Sequence, residues 1–543
     1  MSNDDPLNLG DPPEPRTFGR PPPRPPARNP NAFHDQTHHD HHHDRWSWTS
    51  AIVIIALVVI MIVAVAVIPS VSRVLDRRLS QQPEYGPGAP IDPGSRNDGS
   101  SGAGDPYYPN YGNGGYDVEK YAIDISWRPR SNTLVGTTMI IATADQRLDS
   151  FYLDLVLPVS AVTVNYEAAD FERESEYDVK ITPKQSLKGG EPFTVMVSYT
   201  GNPADYKIGD ASPWYVTGDE VTAASEPEGA AWWYPSNDIP DDPATYEMTI
   251  TVPAGMEAIS NGRLVSVSHD NRNRGADYDT WHWITNQTMN TYQSFISIGQ
   301  YEIKKGTADG MPYLYAVSSQ LPTSTRQKAF ANLARTPEIV SDLAGYWGSY
   351  PYRQLGGIVP AHRLWYDGLE TATRPVYAAG AISEGSATGL LTHELAHMWF
   401  GDSVTLEQWN DIFNNEAYAS FSEWLRTERT GGPSANDQLE AHYDRLKGNQ
   451  DFWRIPMNDP GKDHLFDAVY YRGPMALQAL RNVMGDDAFF RLGRDWVQRT
   501  QPSSLEDWMA AAQRHTKVNL DAFFTAWIYA DSVPARTATN GFR

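Results

Sequence analysis

The sequence predicts an α+β protein with one transmembrane helix, then an antiparallel β-rich part, then a mostly helical part. Residues 49–68 carry no charge and are almost entirely apolar. Many short runs between residues 116 and 305 alternate apolar and polar side chains, which is typical of strands in a sheet with one buried face. After about residue 336, apolar side chains recur at helical spacing. Strands followed by helices favour an α+β arrangement over an alternating α/β fold.

Composition limits the classes of protein that this chain can belong to. A length of 543 residues with 40% hydrophobic side chains predicts two folded units plus tails. The formal net charge of −23 argues against nucleic acid as a partner, because few basic groups are left to contact phosphates. The chain has no cysteine, which excludes disulfides, thiolate ligands and a cysteine nucleophile.

The first 112 residues divide into three segments. Residues 1–48 are rich in Pro and His and predict a disordered tail, whose histidines have no fixed geometry for a metal. Residues 49–68 would span about 30 Å as a helix, which is the thickness of the hydrocarbon core of a bilayer. Residues 69–112 are rich in Pro, Gly and Ser and predict a flexible linker.

The orientation of the predicted span depends on two opposed signals. Arg73, Arg77 and Arg78 follow the span, whereas Arg45 alone lies close before it, and by the positive-inside rule this would keep the large C-terminal part inside. Large domains can nevertheless be translocated despite such charges, and a long tether suits a domain held outside the membrane. We therefore expect a single-pass protein of the cell membrane with its large part extracytoplasmic.

The folded region is predicted to consist of a β-rich domain, residues 113–305, and a helical domain, residues 306–543. In the first, Phe151–Leu157 is apolar except for Asp154, more continuously than the alternating runs, and predicts a strand buried on both faces. In the second, Thr336-Pro337-Glu338 has the residues of a helix start. Further helical patterns cover Asn414–Arg429, Pro474–Met484, Asp486–Val497, Leu505–Gln513 and Leu520–Tyr529.

The pattern His393-Glu394-x-x-His397 predicts a metal site. Histidines four residues apart project from one face of a helix and can bind one Zn²⁺, with Glu394 beside the ion rather than bound to it. Glu416 is the candidate third ligand, which leaves a fourth position for water. The pattern also occurs by chance on surface helices, but this helix is otherwise apolar, and Glu416 lies among aromatic residues where an unpaired carboxylate would be costly.

The same run resembles the aminopeptidase N family of gluzincin zinc metallopeptidases. That family has His-Glu-x-x-His, eighteen residues and then Glu, and Asn415–Ala419 is similar to its Asn-Glu-Gly-Phe-Ala segment, with Ala417 in place of Gly. The resemblance covers residues 113–543. It implies a saddle-like β domain and a thermolysin-like catalytic domain. Family members commonly add two further domains, for which the few residues after Ala530 leave no room. We therefore expect a short two-domain form with a more open cleft.

Two residues are expected to act in the reaction. Zinc lowers the pKa of bound water to about 7, and Glu394 can accept the proton that this water loses. Tyr470-Tyr471-Arg472-Gly473 resembles the family's Tyr-x-Lys/Arg-Gly, which implies that Tyr470 donates to the oxyanion. Tyr471 is the neighbour most easily confused with it.

Further acids are assigned by the resemblance. Asp367–Thr371 is similar to Gly-x-Met-Glu-Asn, which places Glu370 on the substrate's α-ammonium and Gly368 against the substrate. Asp367 stands in place of the first Gly, and Thr371 stands in place of Asn. A side chain at the first position opposes the close backbone approach that Gly permits.

Two more glutamates complete the candidate site. Glu226 matches the family's second amine-binding position, with Glu228 as its rival. Glu423 lies on the same helix face as Glu416 and resembles an acid that orients a histidine ligand. A solvated surface carboxylate is the alternative for each of these acids.

Together these features predict a zinc-dependent aminopeptidase that acts on peptides. An endopeptidase with an open cleft, an epoxide-opening enzyme like the related leukotriene hydrolases, and a metal-free binding protein on the same fold are the alternatives. The sequence leaves the oligomeric state and the preferred N-terminal residue open.

Overall fold

The computed structural model describes residues 97–208, 212–270 and 277–542, with the backbone alone at Asp270. The predicted tail, the predicted span over residues 49–68 and most of the predicted linker lie outside the described residues. Within the described ranges, no helix combines the length and the apolar character needed to cross a bilayer. The described residues all belong to one compact unit of the chain.

Strands dominate the first part of the described chain. They are β1 (Tyr116–Arg128), β2 (Thr133–Ala144), β3 (Phe151–Asp154), β4 (Val159–Val164), β5 (Glu167–Ala168), β6 (Asp170–Arg173), β7 (Asp178–Thr182), β8 (Pro192–Gly201), β9 (Trp214–Thr217), β10 (Glu220–Ala223), β11 (Thr245–Pro253), β12 (Glu257–Ser260), β13 (Arg263–Asp270), β14 (Tyr278–Ile284), β15 (Ile296–Gly299), β16 (Tyr301–Ala308), β17 (Met311–Ser318), β18 (Leu355–Val359), β19 (Gly368–Leu369) and β20 (Val376–Tyr377).

Helices dominate the second part. They are α1 (Thr323–Leu333), α2 (Thr336–Trp347), α3 (Ala379–Ser383), α4 (Thr388–Ala396), α5 (Phe413–Arg429), α6 (Ala435–Leu446), α7 (Gln450–Trp453), α8 (Val469–Met484), α9 (Asp486–Trp496), α10 (Leu505–Arg514) and α11 (Asp521–Phe524). Short 3₁₀ turns cover Pro129–Ser131, Pro203–Asp205, Ala230–Trp232, Trp409–Asp411, Lys462–His464 and Ala538–Asn540, and a π-helical turn covers Thr525–Tyr529.

The largest sheet is largely antiparallel, as the sequence predicts, but it contains one parallel pair of strands. Its strand order is β13-β14-β11-β1-β2-β8-β4-β5. Along β2, buried and half-buried side chains alternate, as the period-two pattern predicts. β1 and β11 run parallel, with Tyr121 opposite Tyr246, whereas the other pairs in this sheet are antiparallel. A parallel pair needs a long crossover, and the chain from β2 to β10 supplies one.

Two smaller sheets complete the β-rich part. One has the order β12-β15-β10-β9 and the other β3-β7-β6. Every residue of β3 is buried, and so are Leu155 to Leu157, in agreement with the prediction of a strand covered on both faces.

A third small sheet brings a loop to the candidate site. Its order is β16-β17-β18-β20-β19, and β19 carries Gly368. The boundary predicted between residues 305 and 306 falls inside β16, so this sheet begins at Tyr301. β16 pairs with β17 along its whole length, and β17 pairs with β18, which follows α1 and α2, so β16 belongs to the sheet of the second part.

Residues 97–112 are packed against the folded part, so the prediction of a flexible linker is wrong for this stretch. Gly99 N donates to Ser150 O at 2.8 Å, and Trp409 N donates to the Asp105 carboxylate at 2.7 Å. Tyr108 is only 8% exposed. The Pro- and Gly-rich composition obscured three tyrosines in this stretch, whose apolar area favours packing over solvation.

Candidate active site

The two histidines lie on one helical face, as their spacing predicts. His393 belongs to α4, and His397 follows its last residue with helical dihedral angles (φ −57°, ψ −26°). The amide of His397 donates to His393 O at 3.3 Å, so the helical turn continues through it. The ring centroids of the two histidines are 4.8 Å apart.

Glu416 on α5 meets both imidazoles. Its Oε2 lies 3.0 Å from His393 Nε2 and 3.5 Å from His397 Nε2. Ligand bonds of about 2.1 Å place the corners of a tetrahedron around Zn²⁺ about 3.4 Å apart, which matches these distances. All three side chains are buried. The donor set and its spacing therefore fit one zinc ion.

The outer nitrogens of the histidines are already engaged. His393 Nδ1 lies 3.0 Å from Glu423 Oε1, and His397 Nδ1 lies 3.1 Å from Phe400 O. With each Nδ1–H donating to these oxygens, both Nε2 atoms are free to bind the metal. The orienting role of Glu423 stays a prediction, which this contact with His393 supports.

The electrostatics of the triad favour a bound cation. Burial alone would raise the pKa of Glu416, but the two histidines outweigh it and hold that pKa well below its usual range. Burial alone would lower the pKa of His393, whereas hydrogen bonds to Glu416 and Glu423 raise it to about 9. The same negative charge that holds a proton on the imidazole would stabilise a divalent metal ion there.

Glu394 lies beside the triad in a position that depends on Gly368. Burial raises the pKa of Glu394 to about 7. A Cβ atom on Gly368 would lie 2.3 Å from Glu394 Oε1. β19 pairs with β20, with Gly368 opposite Tyr377, which holds the glycine backbone at this place. Gly368, which was predicted to lie against the substrate, is therefore also required by the position of the Glu394 carboxylate.

Geometry separates Tyr470 from Tyr471. Tyr470 Oη donates to Glu416 Oε1 at 3.2 Å, and its ring centroid lies 5.7 Å from that of His393. Tyr471 instead lies beside His442 and under the guanidinium of Arg445. Only the first of these neighbouring tyrosines is brought to the metal site.

Glu226 and Glu370 are brought to the same cleft as the triad. Both are buried, and within the described part of the chain Oε1 of each has no hydrogen-bond partner. Burial raises the pKa of both carboxyl groups. Glu370 also offers an oxygen within 4.8 Å of ligand atoms of Glu394 and His397. Glu228, the rival of Glu226, lies beside Tyr111 instead.

Comparison with known families decides where the chain belongs. The model described as the Peptidase M1 N-terminal domain matches residues 117–293, and that of the Peptidase family M1 domain matches residues 375–527. Together the two matches cover more than half of the chain. The chain belongs to the M1 family of zinc metallopeptidases. The resemblance to aminopeptidase N-type gluzincins is thereby confirmed, and Zn²⁺ is the family's metal, which the triad could hold.

Curated relatives of this M1 chain are longer than it is. Endoplasmic reticulum aminopeptidase 1 of Homo sapiens is 27% identical over 410 residues, which are 66% of this chain and 41% of the relative. Tricorn protease-interacting factor F2 of Thermoplasma acidophilum is 22% identical, over 68% of this chain and 48% of the relative. The M1 chain thus spans about half the length of these relatives or less.

Solved structures of similar extent also match. The M1 zinc metallopeptidase of Deinococcus radiodurans is 26% identical, with a TM-score of 0.71 over 80% of this chain and 98% of that one. A mutant of the Deinococcus enzyme bound to a Tyr-Ser-Ala substrate gives 26% identity and a TM-score of 0.72, over 80% of this chain and 99% of that one. These matches confirm the M1 fold, with a β-rich domain followed by a helical catalytic domain.

Several residues in and near the M1 cleft were not predicted from the sequence. The cleft encloses about 480 Å³, part of it open to solvent, and its other walls come from Trp365, Tyr366, Leu369, Leu390 and Phe466. Outside the lining of the cleft, Asp402 donates its amide to His397 O at 3.0 Å. Asp402 is 1% exposed, and neither of its carboxylate oxygens has a hydrogen-bond partner in the described structure. Asp402 follows Gly401, shortly after α4 and His397, and this position was the one signal that could have indicated it.

Proposed function

We propose that this protein is a zinc-dependent aminopeptidase that hydrolyses the N-terminal peptide bond of peptides. The observation that carries the proposal is the pair of buried carboxylates, Glu226 and Glu370, whose unpartnered oxygens lie in the same cleft as the metal triad. Two buried acids need a cation to offset their burial, and the α-ammonium of a peptide supplies one. Binding at that point would place the first peptide bond, and no later one, near the metal.

The cleft supports a hydrolytic mechanism. Bound zinc would supply a water of lowered pKa and a positive charge near the scissile carbonyl. Glu394, held in place by Gly368 and with a pKa of about 7, can accept the proton of that water and give it to the departing amine.

Tyr470 provides the charge stabilisation that the tetrahedral intermediate requires. Its hydroxyl lies at the metal site, on the triad carboxylate of Glu416. Burial raises the pKa of Tyr470 far above neutrality, so the hydroxyl keeps its proton and can donate it in a hydrogen bond. The substrate oxyanion would replace Glu416 as the acceptor of this hydrogen bond.

The test compares variants of the base and of a ligand on free and N-acetylated peptides. We expect Glu394→Gln to bind zinc in equal amount but to lose turnover, and His397→Ala to lose both zinc and turnover. Glu370→Gln should raise KM for free peptides. Wild-type activity in Glu394→Gln would contradict the mechanism, and cleavage of acetylated peptides at the same rate as free ones would indicate an endopeptidase. A zinc-free purified protein would favour a binding role.

We also propose that the protein is anchored in the cell membrane by residues 49–68, with the catalytic part outside. The uncharged apolar run and the Pro- and Gly-rich residues that follow it support this location. Retention in the membrane pellet after alkaline carbonate washing, together with digestion of the catalytic part by protease added to intact cells, is the expected result. Release by carbonate would reject the anchor, and protection from protease would reverse the orientation.

A further inference from the structure

Residues 105–111, which we call the clasp, are fastened to the helical part of the protein. Asp105 is buried and accepts hydrogen bonds at both carboxylate oxygens. Oδ1 accepts from the amides of Tyr107 and Tyr108 at 2.8 and 2.9 Å, and Oδ2 accepts from Trp409 N at 2.7 Å. One carboxylate thus turns the clasp and attaches it to the 3₁₀ turn that precedes α5, the helix of the ligand Glu416.

The two tyrosines of this turn hold the loop before α8. Tyr107 Oη donates to Asp459 Oδ1 at 2.5 Å and accepts from Gly461 N at 2.8 Å. The ring of Tyr108 packs edge-on against Trp409, with centroids 6.2 Å apart, and Lys462 Nζ lies 4.3 Å from its centroid. This loop leads directly into the residues that line the cleft.

Tyr108 belongs to a small apolar cluster that backs one wall of the cleft. The cluster contains Leu465 and Val469, with Phe466 and Tyr470 packed against it. Phe466 and Tyr470 also line the cleft. The wall that carries the proposed oxyanion donor therefore packs against a cluster to which the clasp contributes Tyr108.

The other end of the clasp contacts the β-rich part. The ring of Tyr111 lies edge-on against Tyr177, with centroids 5.1 Å apart. The Tyr111 hydroxyl also forms a hydrogen bond with Glu228, two residues after Glu226 on the same loop. The clasp thus joins the wall of Tyr470 to the wall of Glu226.

We propose that the clasp positions the reacting groups, with Tyr108 as its central positioning residue that holds the Phe466–Tyr470 wall in register with Glu226. This inference rests on the proposed aminopeptidase function. It adds a segment that lies before residue 117, where the family match begins. Displacement of a catalytic group by about 1 Å can lower the rate about 100-fold. A slight shift of this wall would therefore lower kcat before it raised KM.

The experiment uses the full chain and measures kcat, KM, zinc content and amide hydrogen exchange. We expect Tyr108→Ala to lower kcat about tenfold or more, with unchanged zinc and a KM within about threefold of wild type. Exchange should accelerate at residues 465–471. Tyr108→Phe keeps the ring and should restore kcat to within about twofold of wild type. Tyr166→Ala, at a position 63% exposed, is the matched control and should behave as wild type.

Different outcomes separate this inference from the proposed function. A wild-type protein that cleaves no peptide rejects the aminopeptidase activity, and the exchange data then judge the clasp alone. An active wild type with full kcat in Tyr108→Ala, or with KM as the main change, overturns the positioning role. Tyr108→Phe as impaired as Tyr108→Ala would also overturn it, since the hydroxyl rather than the packed ring would then be responsible. If Tyr108→Ala does not fold, Asp105→Asn, which weakens the attachment to Trp409, must reproduce the loss of kcat.

Discussion

Gly368 has no room for a larger side chain, because a Cβ atom would lie 2.3 Å from Glu394 Oε1 and 2.5 Å from Glu394 Cδ. We expect Gly368→Ala to push the base away from the metal and lower kcat about 100-fold, with zinc content unchanged. The measurement is steady-state turnover with metal analysis. Gly345→Ala in α2, where a Cβ would meet no atom within 4 Å, is the control. Activity of Gly368→Ala within about twofold of wild type would show that the carboxylate position is not critical.

His442 makes stability depend on pH in a predictable direction. Burial and then the charge of Arg445, which donates to His442 Nδ1 at 2.7 Å, lower the pKa of His442 from 6.5 to about 4. Between these values the unfolded chain binds a proton that the folded chain does not, so folded-state stability falls as pH falls from 6.5 to 4. We expect His442→Gln to lose less Tm than wild type between pH 7 and pH 5. Equal losses would show that His442 titrates normally.

Single residues also show what spacing can and cannot predict. The ligands His393 and His397 could be predicted because their relation is local, one turn of one helix. The choices between Tyr470 and Tyr471, and between Glu226 and Glu228, could not be made from spacing alone. They depend on which face of a helix or loop packs inward, and that is set by distant contacts such as Tyr471 with Arg445.

At the level of elements, α5 and α8 cross too closely for a side chain at Gly473. A Cβ atom there would lie 2.6 Å from Ala417 Cβ and 2.9 Å from Ala417 Cα. We expect Gly473→Ala to separate the helices, cost about 1–3 kcal/mol of stability and reduce turnover, because α8 carries Tyr470 and α5 carries Glu416. Thermal unfolding and kcat measure the two effects.

The pair Ala417→Gly with Gly473→Ala provides the control, since it moves the methyl group to the other helix. It should recover part of the loss but not all, because the contact with the Cα atom remains. An additive double variant would mean that the two positions do not share this contact.

Elements were predictable where their signals are local. α2 begins at Thr336 and α5 ends at Arg429, as their terminal residues predict. The helix predicted to begin at Pro474 begins instead at Val469, so the proline lies inside α8, in its second turn. The parallel pairing of β1 with β11 joins strands far apart in the chain, and no local pattern indicates such a register.

At the scale of the whole molecule, the cleft is made by segments that are distant in sequence. The β-rich part supplies Glu226, and β19 with the residue after it supplies Gly368 and Glu370. α4 with the turn after it supplies the two histidines, α5 supplies Glu416 and α8 supplies Tyr470. Motifs predicted each segment separately. The motifs did not predict that these segments meet, nor that Phe466 and Trp365 also line the cleft. Both facts follow from packing between the two parts of the protein, which a sequence reveals only through its resemblance to proteins of known fold.

The boundary that composition suggested at residue 113 removes the clasp, whereas a boundary at residue 97 keeps it. Both shortened chains retain β1, which begins at Tyr116, and every residue of the cleft. We expect the chain from residue 97 to match the full protein in kcat, and the chain from residue 113 to bind zinc but turn over substrate about tenfold more slowly with a lower Tm. The loss follows because the chain from residue 113 lacks Asp105, which caps the turn before α5, and Tyr108, a member of the apolar cluster against which Phe466 and Tyr470 pack. Equal kcat and Tm in the two shortened chains would show that the walls of the cleft hold their positions without the clasp.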